Sequence, residues 1–334
     1  MLAAHLLVIP AFTWTDPASW TAVTQGRSSI LFATLAGVSL GLAAGGPAAV
    51  RGAELHSLQR RLVLRAVAIW LLGVVVSTLG VPVYVILPAY GILFLIAVPA
   101  IAATRTQLIV LAVLAALLMP VVQTLLDGSP WWTTDAGFLT SWLLGWHYPF
   151  LVWSTFILAG LALARYALTT LRTQVAVLLV GAVLATLGYT LDALTSLPPG
   201  FLADLLTAEA HSSGLLEVMG SGGFALFIFA ACMLLSRTPV SVVMLPVRAV
   251  GTMPLTAYVL QLLVWAVIAG LTLDNPGDLS GFRALQPFWP FAIGTIVVCT
   301  LWAALFGRGP LERVLPRLSR PAVASPDALS SVER

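Results

Sequence analysis

Two polar side chains near the start of the sequence lie in or directly before apolar stretches. A membrane protein seldom has polar residues there unless they have a function. His5 lies in the apolar stretch 1–12, and Arg27 immediately precedes the stretch 28–47. A neutral imidazole can accept or donate a proton near pH 7, so His5 is a candidate general base. The alternative is a histidine that only hydrogen-bonds across a helix interface. Arg27 is a candidate for binding an anionic or carbonyl group of a substrate, and the alternative is a cap at the membrane interface.

Four more arginines form a basic cluster before and within the third apolar stretch. They are Arg51, Arg60, Arg61 and Arg65, and Arg65 is predicted to lie about one helical turn inside the stretch. Guanidinium groups match phosphate oxygens, so the cluster is a candidate site for a phosphorylated cytosolic donor. The same pattern is typical of a topology signal that contacts lipid headgroups. The residues alone leave both interpretations open.

A second group of candidate binding residues lies where apolar stretches begin on the predicted external side. His147 stands in the sequence WHYP, and His211 precedes Glu217 by six residues. A histidine and a nearby carboxylate can shift each other's pKa values, which is typical of binding and catalytic sites. The alternative is that all three are hydrated loop residues.

The remaining polar groups inside the apolar stretches are predicted to stabilise the fold and not to take part in a reaction. Tyr90, Tyr258 and Gln261 are predicted to make contacts between helices. Cys232 and Cys299 both fall in apolar stretches, where a thiol behaves as a small hydrophobic group. Neither a disulfide framework nor a metal site is expected, and the sequence contains no Walker, GxSxG or HExxH motif.

The elements that carry these residues must be membrane helices. Of 334 residues, 60% are hydrophobic and 9% charged, and the mean hydropathy is +1.01, which excludes an ordinary soluble domain. We therefore predict an all-α, polytopic transmembrane bundle of about ten spans. Besides the short first stretch, the spans are predicted at 28–47, 62–79, 81–103, 106–126, 149–168, 173–191, 215–235, 249–271 and 287–306.

Arginines predict the orientation of this bundle. The chain has sixteen arginines and no lysine, and every second connection is basic, whereas the others are mainly acidic. The positive-inside rule then places both termini in the cytoplasm. The bundle is predicted to lie in the plasma membrane. Tryptophans at 14, 20, 131, 132, 142, 146 and 289 fall in or beside predicted external segments, of which 129–146 and 197–213 are the longest loops. Residues 1–310 are assigned to the membrane domain and 311–334 to a basic, then disordered, cytoplasmic tail.

Several motifs resemble one family of membrane proteins. The sequences GRSSILFATLAGVSLGL, VILPAYGILFLIAVPAI, HYPFLVWSTFILAGLALAR, HSSGLLEVMGSGGFALFIFAACMLL, GTMPLTAYVLQLLVWA and FGRGPLERVL follow one another in the order found in YeiB-like bacterial membrane proteins. The terminal GRGPLE is the most specific of them. The chain is also similar, mainly over the first four spans, to the wider group that includes the lysosomal heparan-alpha-glucosaminide N-acetyltransferase.

This resemblance implies a transmembrane acetyl transfer from cytoplasmic acetyl-CoA to an acceptor, such as an envelope sugar, on the external side. His5 matches the family's histidine, Arg27 the polar residue that opens its second span, and Arg60, Arg61 and Arg65 the basic start of its third. The chain departs from the family in lacking the stretch that usually precedes the histidine, so the first span is expected to be truncated. In the ninth span Gln261 stands where relatives often carry a histidine.

Two functions of other classes stay open at this point. A transporter or export partner would use the intramembrane polar residues to line a solute path. A non-catalytic membrane scaffold would need none of the chemistry. In each case the lipid bilayer is the expected partner, and nucleic acid is not.

Overall fold

A computed structural model of the chain describes residues 2–10, 12, 13 and 15–318. Within these ranges the protein is helical throughout and contains no β-strand. Met1, Trp14 and the predicted disordered tail from residue 319 onward lie outside the described residues. The α-helices are α1 Leu2–Leu6, α2 Arg27–Ala43, α3 Gly52–Ser77, α4 Leu87–Ala100, α5 Arg105–Asp127, α6 Asp135–Leu144, α7 Phe150–Ala164, α8 Leu171–Leu194, α9 Phe201–Leu205, α10 Leu215–Leu235, α11 Val240–Val243, α12 Leu245–Gly251, α13 Pro254–Thr272, α14 Leu279–Ala284, α15 Phe288–Phe306 and α16 Pro310–Leu318.

In the described part of the chain, six helical segments are long and apolar enough to cross a membrane, which makes this a multi-pass membrane-type protein. They are Ser19–Ala43, Arg105–Asp127, Leu171–Leu194, Leu215–Leu235, Pro254–Thr272 and Phe288–Phe306. The helices Leu87–Ala100 and Phe150–Ala164 are apolar but shorter. Each of the ten predicted stretches contains a helix, so the all-helical class and the order of elements agree with the sequence analysis. The count of ten spans stays a prediction.

Several helix boundaries differ from those predicted; α4, for example, begins at Leu87, six residues after the start of its predicted stretch, and two other differences concern candidate site residues. The first helix ends at Leu6, so it covers five residues of the predicted stretch 1–12. The third begins at Gly52, ten residues before the predicted start, because polar residues continue the helix beyond the apolar stretch. Arg65 therefore lies more than three turns from the helix start, while its position about one turn inside the apolar stretch that begins at residue 62 stays a prediction.

The predicted external loop 129–146 is also largely helical. It forms a short 3-10 helix, Pro130–Thr133, followed by α6. The Thr134 hydroxyl accepts a hydrogen bond from the Gly137 backbone at 3.0 Å and so caps α6. The indole rings of Trp132 and Trp146 stack with centroids 4.4 Å apart.

Glycines bring two pairs of helices into backbone contact. A Cβ atom added to Gly37 would lie 2.1 Å from the Ile157 carbonyl oxygen, so α2 and α7 can approach this closely only with glycine there. A Cβ atom on Gly188 would lie 2.4 Å from the Gly220 backbone nitrogen, which shows the same relation between α8 and α10. Small residues at helix interfaces allow dense packing where lipid supplies no hydrophobic driving force.

The GRGPLE sequence fixes the start of α13. The Glu312 carboxylate accepts hydrogen bonds from the backbone nitrogens of Leu255, at 2.8 Å, and Thr256, at 3.1 Å, and from the Thr256 hydroxyl. It thus satisfies donors that a helix leaves free at its first turn. A Cβ atom on Gly309 would lie 2.6 Å from the Met253 Cβ, so only glycine fits where the chain lies against the residue that precedes α13. The predicted domain boundary between residues 310 and 311 falls at the start of α16, which packs against α3 and α13.

Candidate functional site

Three regions contain predicted site residues, and the first is a polar cluster on the side that the sequence analysis predicts to be external, which we name the external cluster. It consists of Arg27 at the start of α2, Tyr189 on α8, and Glu217 and Ser221 on α10. The Arg27 Nε donates a hydrogen bond of 2.5 Å to the Tyr189 hydroxyl, which lies 2.9 Å from the Ser221 hydroxyl. The guanidinium carbon lies 4.7 Å from the centroid of the Tyr189 ring. A hydrogen bond and a cation–π contact thus hold one arginine across three helices.

Glu217 belongs to the same cluster and is 4% exposed. Its carboxylate accepts hydrogen bonds of 2.7 Å from the backbone nitrogens of His211 and Ser213, and one of 3.3 Å from the Ser212 hydroxyl. His211 and Ser213 have φ angles of 68° and 62°, a conformation that L-residues rarely adopt. The carboxylate therefore holds a strained turn at the start of α10.

Arg27, His211 and Glu217, which the sequence analysis selected for substrate binding, are thus brought together. Arg27 also interacts electrostatically with Glu217. The predicted histidine–carboxylate pair takes an unforeseen form, since Glu217 accepts from the His211 backbone. Partial burial lowers the pKa of the His211 imidazole. Most polar atoms of the cluster have protein partners, as expected of a cluster that holds helices together.

His5 lies in a separate region, beside α13, α14 and α15. Its ring centroid is 6.5 Å from that of Trp265 on α13, and its carbonyl oxygen accepts a hydrogen bond of 3.0 Å from the Arg283 Nε on α14. Its Nδ1 atom is buried and makes no hydrogen bond to any residue that the structure describes. Trp265 is fully buried, and its indole nitrogen likewise has no partner among the described residues.

The buried face of α13 continues this region. Tyr258, Gln261 and Trp265 are spaced by three and four residues, so they share one side of the helix. The Tyr258 hydroxyl accepts a hydrogen bond of 3.2 Å from the Ile86 backbone and interacts electrostatically with that of Tyr90. The Tyr90 hydroxyl and the Gln261 amide nitrogen are buried without a partner in the described part of the chain. The sequence analysis predicted contacts between helices from these residues. Tyr258 makes one through its hydroxyl, and the Tyr90 ring makes an edge contact with that of Trp153 on α7 at 6.2 Å between centroids.

Arg65 is the one member of the predicted donor cluster that reaches toward α13. Its Nε atom is buried and unpartnered within the described ranges, and the guanidinium interacts electrostatically with Glu312. Arg51, Arg60 and Arg61 are exposed. Exposed arginines at one end of α3 and a half-buried one further along suit a surface that binds an anion.

His147 lies at a cavity of about 420 Å³ between α3, α6 and the segment 81–85. Its imidazole stacks on the Tyr84 ring with centroids 3.5 Å apart and planes inclined by 21°. The Tyr148 hydroxyl donates a hydrogen bond of 2.9 Å to the Tyr84 carbonyl oxygen. Partial burial lowers the pKa of His147, and burial raises that of Tyr148 to about 12, so both side chains are neutral at pH 7.

The sequence analysis did not single out several residues that shape these regions. Tyr189, Ser221, Trp265 and Glu312 all act through contacts with distant parts of the chain, which local patterns do not reveal. The one available signal was the specificity of GRGPLE, which contains Glu312.

The fold defines a multi-pass helical membrane-type protein, and comparison with known proteins adds a family likeness over part of it. Residues 163–320 match the model of a family described as "Protein of unknown function (DUF418)", a family of YeiB-like membrane proteins. The matched part includes α8 to α16 and therefore Glu217, Gln261 and Glu312, whereas His5 and Arg65 precede it. Neither curated proteins nor solved structures give a match.

Proposed function

We propose that the protein is an integral membrane acyltransferase, which transfers an acetyl group from cytoplasmic acetyl-CoA to an envelope sugar or related acceptor. One observation carries the proposal: buried polar atoms that lack partners among the described residues follow one face of α13 between His5 and Arg65. An unpartnered buried polar group costs about 1–3 kcal/mol. Several such groups on one face are best explained by a polar molecule that passes or binds there.

The donor end of this face would be formed by the arginines of α3. Coenzyme A carries several phosphates, which the exposed Arg51, Arg60 and Arg61 suit. Arg65 and the Glu312 cap mark the first turn of α13. From Tyr258 to Trp265 the helix rises about 10 Å, a distance that an extended pantetheine arm can cover.

The acceptor end would be formed by His5. An imidazole whose buried Nδ1 has no partner among the described residues can take the proton from an acceptor hydroxyl or amine as the acceptor attacks the thioester carbonyl. The carbon–sulfur bond then breaks, and the protonated imidazole returns its proton to the sulfur, so coenzyme A leaves as the thiol and His5 is neutral again. His5 adjoins Arg283, which lies in a connection that the arginine distribution assigns to the external side. With ten spans in the plasma membrane and both termini in the cytoplasm, the donor end would face the cytoplasm and the acceptor end the external side.

Donor binding is tested by the thermal unfolding midpoint of the full-length protein with increasing acetyl-CoA. Ligand at 100 times its dissociation constant stabilises the folded state by about 2.7 kcal/mol, so a saturable rise of the midpoint is expected. Arg65→Ala should weaken it, and Arg172→Ala, an exposed arginine on α8, should not.

Transfer is tested in proteoliposomes with labelled acetyl-CoA inside and amino and neutral sugars outside. His5→Ala should lower transfer by about 10²–10⁴-fold, and His56→Ala, an exposed histidine on α3, should leave it unchanged. Full transfer by a folded His5→Ala protein would contradict the proposed role of His5.

A second candidate is a transporter, because the same unpartnered polar atoms can line a solute path. Solute flux that needs no acetyl-CoA would favour this function. Neither flux nor donor binding would favour a non-catalytic scaffold.

A further inference from the structure

The cavity beside His147 is an open depression of the size of a small-molecule site, and two of its rings, those of Tyr84 and Phe138, are 60% and 71% exposed. Its volume of about 420 Å³ falls in the usual range of small-molecule sites. Its walls are held in place, since the Trp70 indole of α3 donates a hydrogen bond of 2.9 Å to the Leu143 carbonyl oxygen of α6. The Tyr148–Tyr84 hydrogen bond fixes the segment that forms the opposite wall. The pocket is therefore formed before any ligand binds.

The lining combines aromatic faces with a few neutral polar groups. Tyr84, Phe138, Trp142 and His147 supply rings. Ser141 on α6 supplies a hydroxyl, and Ser77, whose hydroxyl donates to the Gly73 carbonyl oxygen at 2.8 Å, supplies an acceptor. The described lining residues include no carboxylate, lysine or arginine. Because the lowered pKa of His147 keeps its imidazole neutral at pH 7, the pocket offers no charge to an ionic ligand. Flat faces with neutral donors and acceptors suit an uncharged ring that carries hydroxyl groups.

The pocket also adjoins the region of His5. Val81 and Val83 line the cavity and pack on their other side against the apolar cluster that contains Leu6, Trp265 and Phe282. A ligand in the pocket is thus separated from the His5 region by one short segment of chain.

We propose that this pocket binds the acceptor and selects a neutral hydroxylated ring of the size of one or two pyranose units. The inference rests on the proposed acyl transfer for the ligand's role, but binding itself requires neither acetyl-CoA nor His5. The two proposals can therefore fail separately.

The test is saturation-transfer NMR on the full-length protein in nanodiscs, with methyl glucoside as the neutral probe and glucosamine and glucuronate as its charged counterparts. Ser141→Phe places a ring inside the cavity and should weaken binding of methyl glucoside about tenfold or more. The matched control is Ala136→Phe, which adds the same ring at an exposed position of α6 outside the lining. His147→Ala, which removes one stacked ring, should weaken binding about tenfold.

Saturable binding of methyl glucoside that Ser141→Phe reduces and Ala136→Phe preserves would support the pocket. Three results would overturn the inference: no binding of the neutral probe, equal binding of the charged sugars, or equal loss in both phenylalanine variants. Loss of acetyl transfer in His5→Ala with unchanged glucoside binding would support both proposals together. Binding of methyl glucoside without any acetyl transfer would support the pocket as a binding site and contradict the proposed acyltransferase activity.

Discussion

The external cluster and the buried face of α13 treat their polar groups in opposite ways. In the cluster, the Arg27 Nε, the Tyr189 hydroxyl and the Glu217 carboxylate all have protein partners. On the α13 side, Gln261 and Trp265 each present a buried atom with no partner in the described residues. Satisfied groups contribute to stability, whereas unsatisfied ones cost stability and persist for another reason. The comparison separates polar residues that build the fold from those that are candidates for function.

The largest expected effect on stability is that of Glu217→Ala, in the satisfied region. The change removes the acceptor of two backbone nitrogens, those of His211 and Ser213, in a turn whose backbone is strained. Loss of hydrogen bonds to a buried charged group should lower the free energy of unfolding by about 3 kcal/mol. Denaturant unfolding in mixed micelles measures it. The control is Glu209→Ala, which removes an exposed carboxylate of the same loop and should change stability little. Equal losses of stability in both variants would contradict the special role of the Glu217 hydrogen bonds.

An intermediate effect is expected from a matched pair of tyrosine substitutions. Tyr189→Phe removes a hydroxyl that bonds Arg27 and Ser221, and should cost about 1–2 kcal/mol of unfolding free energy. Tyr90→Phe removes a buried hydroxyl without a described partner and should be neutral or stabilising.

Denaturant unfolding compares the two variants directly, since each loses the same atom. If the buried face of α13 serves acetyl transfer, Tyr90→Phe should lower transfer even though its stability is unchanged. A destabilised Tyr90→Phe protein would show that the hydroxyl has a structural partner, and the distinction between the regions would no longer hold.

The sequence was sufficient for the helical class and the order of the helices, because apolar stretches of membrane length follow directly from composition. It was not sufficient for helix ends such as that of α1 at Leu6 or the start of α3 at Gly52, where polar and apolar residues both fit a helix. The Arg27–Tyr189 contact joins residues 162 positions apart, and local spacing carries no record of such a contact. Whether a buried polar residue has a partner depends on these distant contacts, so sequence analysis assigned Tyr90 and Tyr258 the same role.

The smallest expected effect is a pH dependence in the external cluster. Partial burial lowers the pKa of His211, so the folded state favours the neutral imidazole and the unfolded chain binds the proton more readily. The corresponding stability is present above the ordinary histidine pKa of about 6.5 and is lost as the pH falls below that value. His211→Gln should therefore reduce the decline in thermal midpoint between about pH 7 and pH 5, by little because the side chain is partly solvated. His56→Gln, at an exposed site on α3, should leave the decline as it is, and the Glu217 carboxylate, which accepts from the His211 backbone, is present in both variants. A decline unchanged by His211→Gln would show that the His211 imidazole does not contribute to the pH dependence of stability. The loop would then stabilise the fold only through its hydrogen bonds to the Glu217 carboxylate.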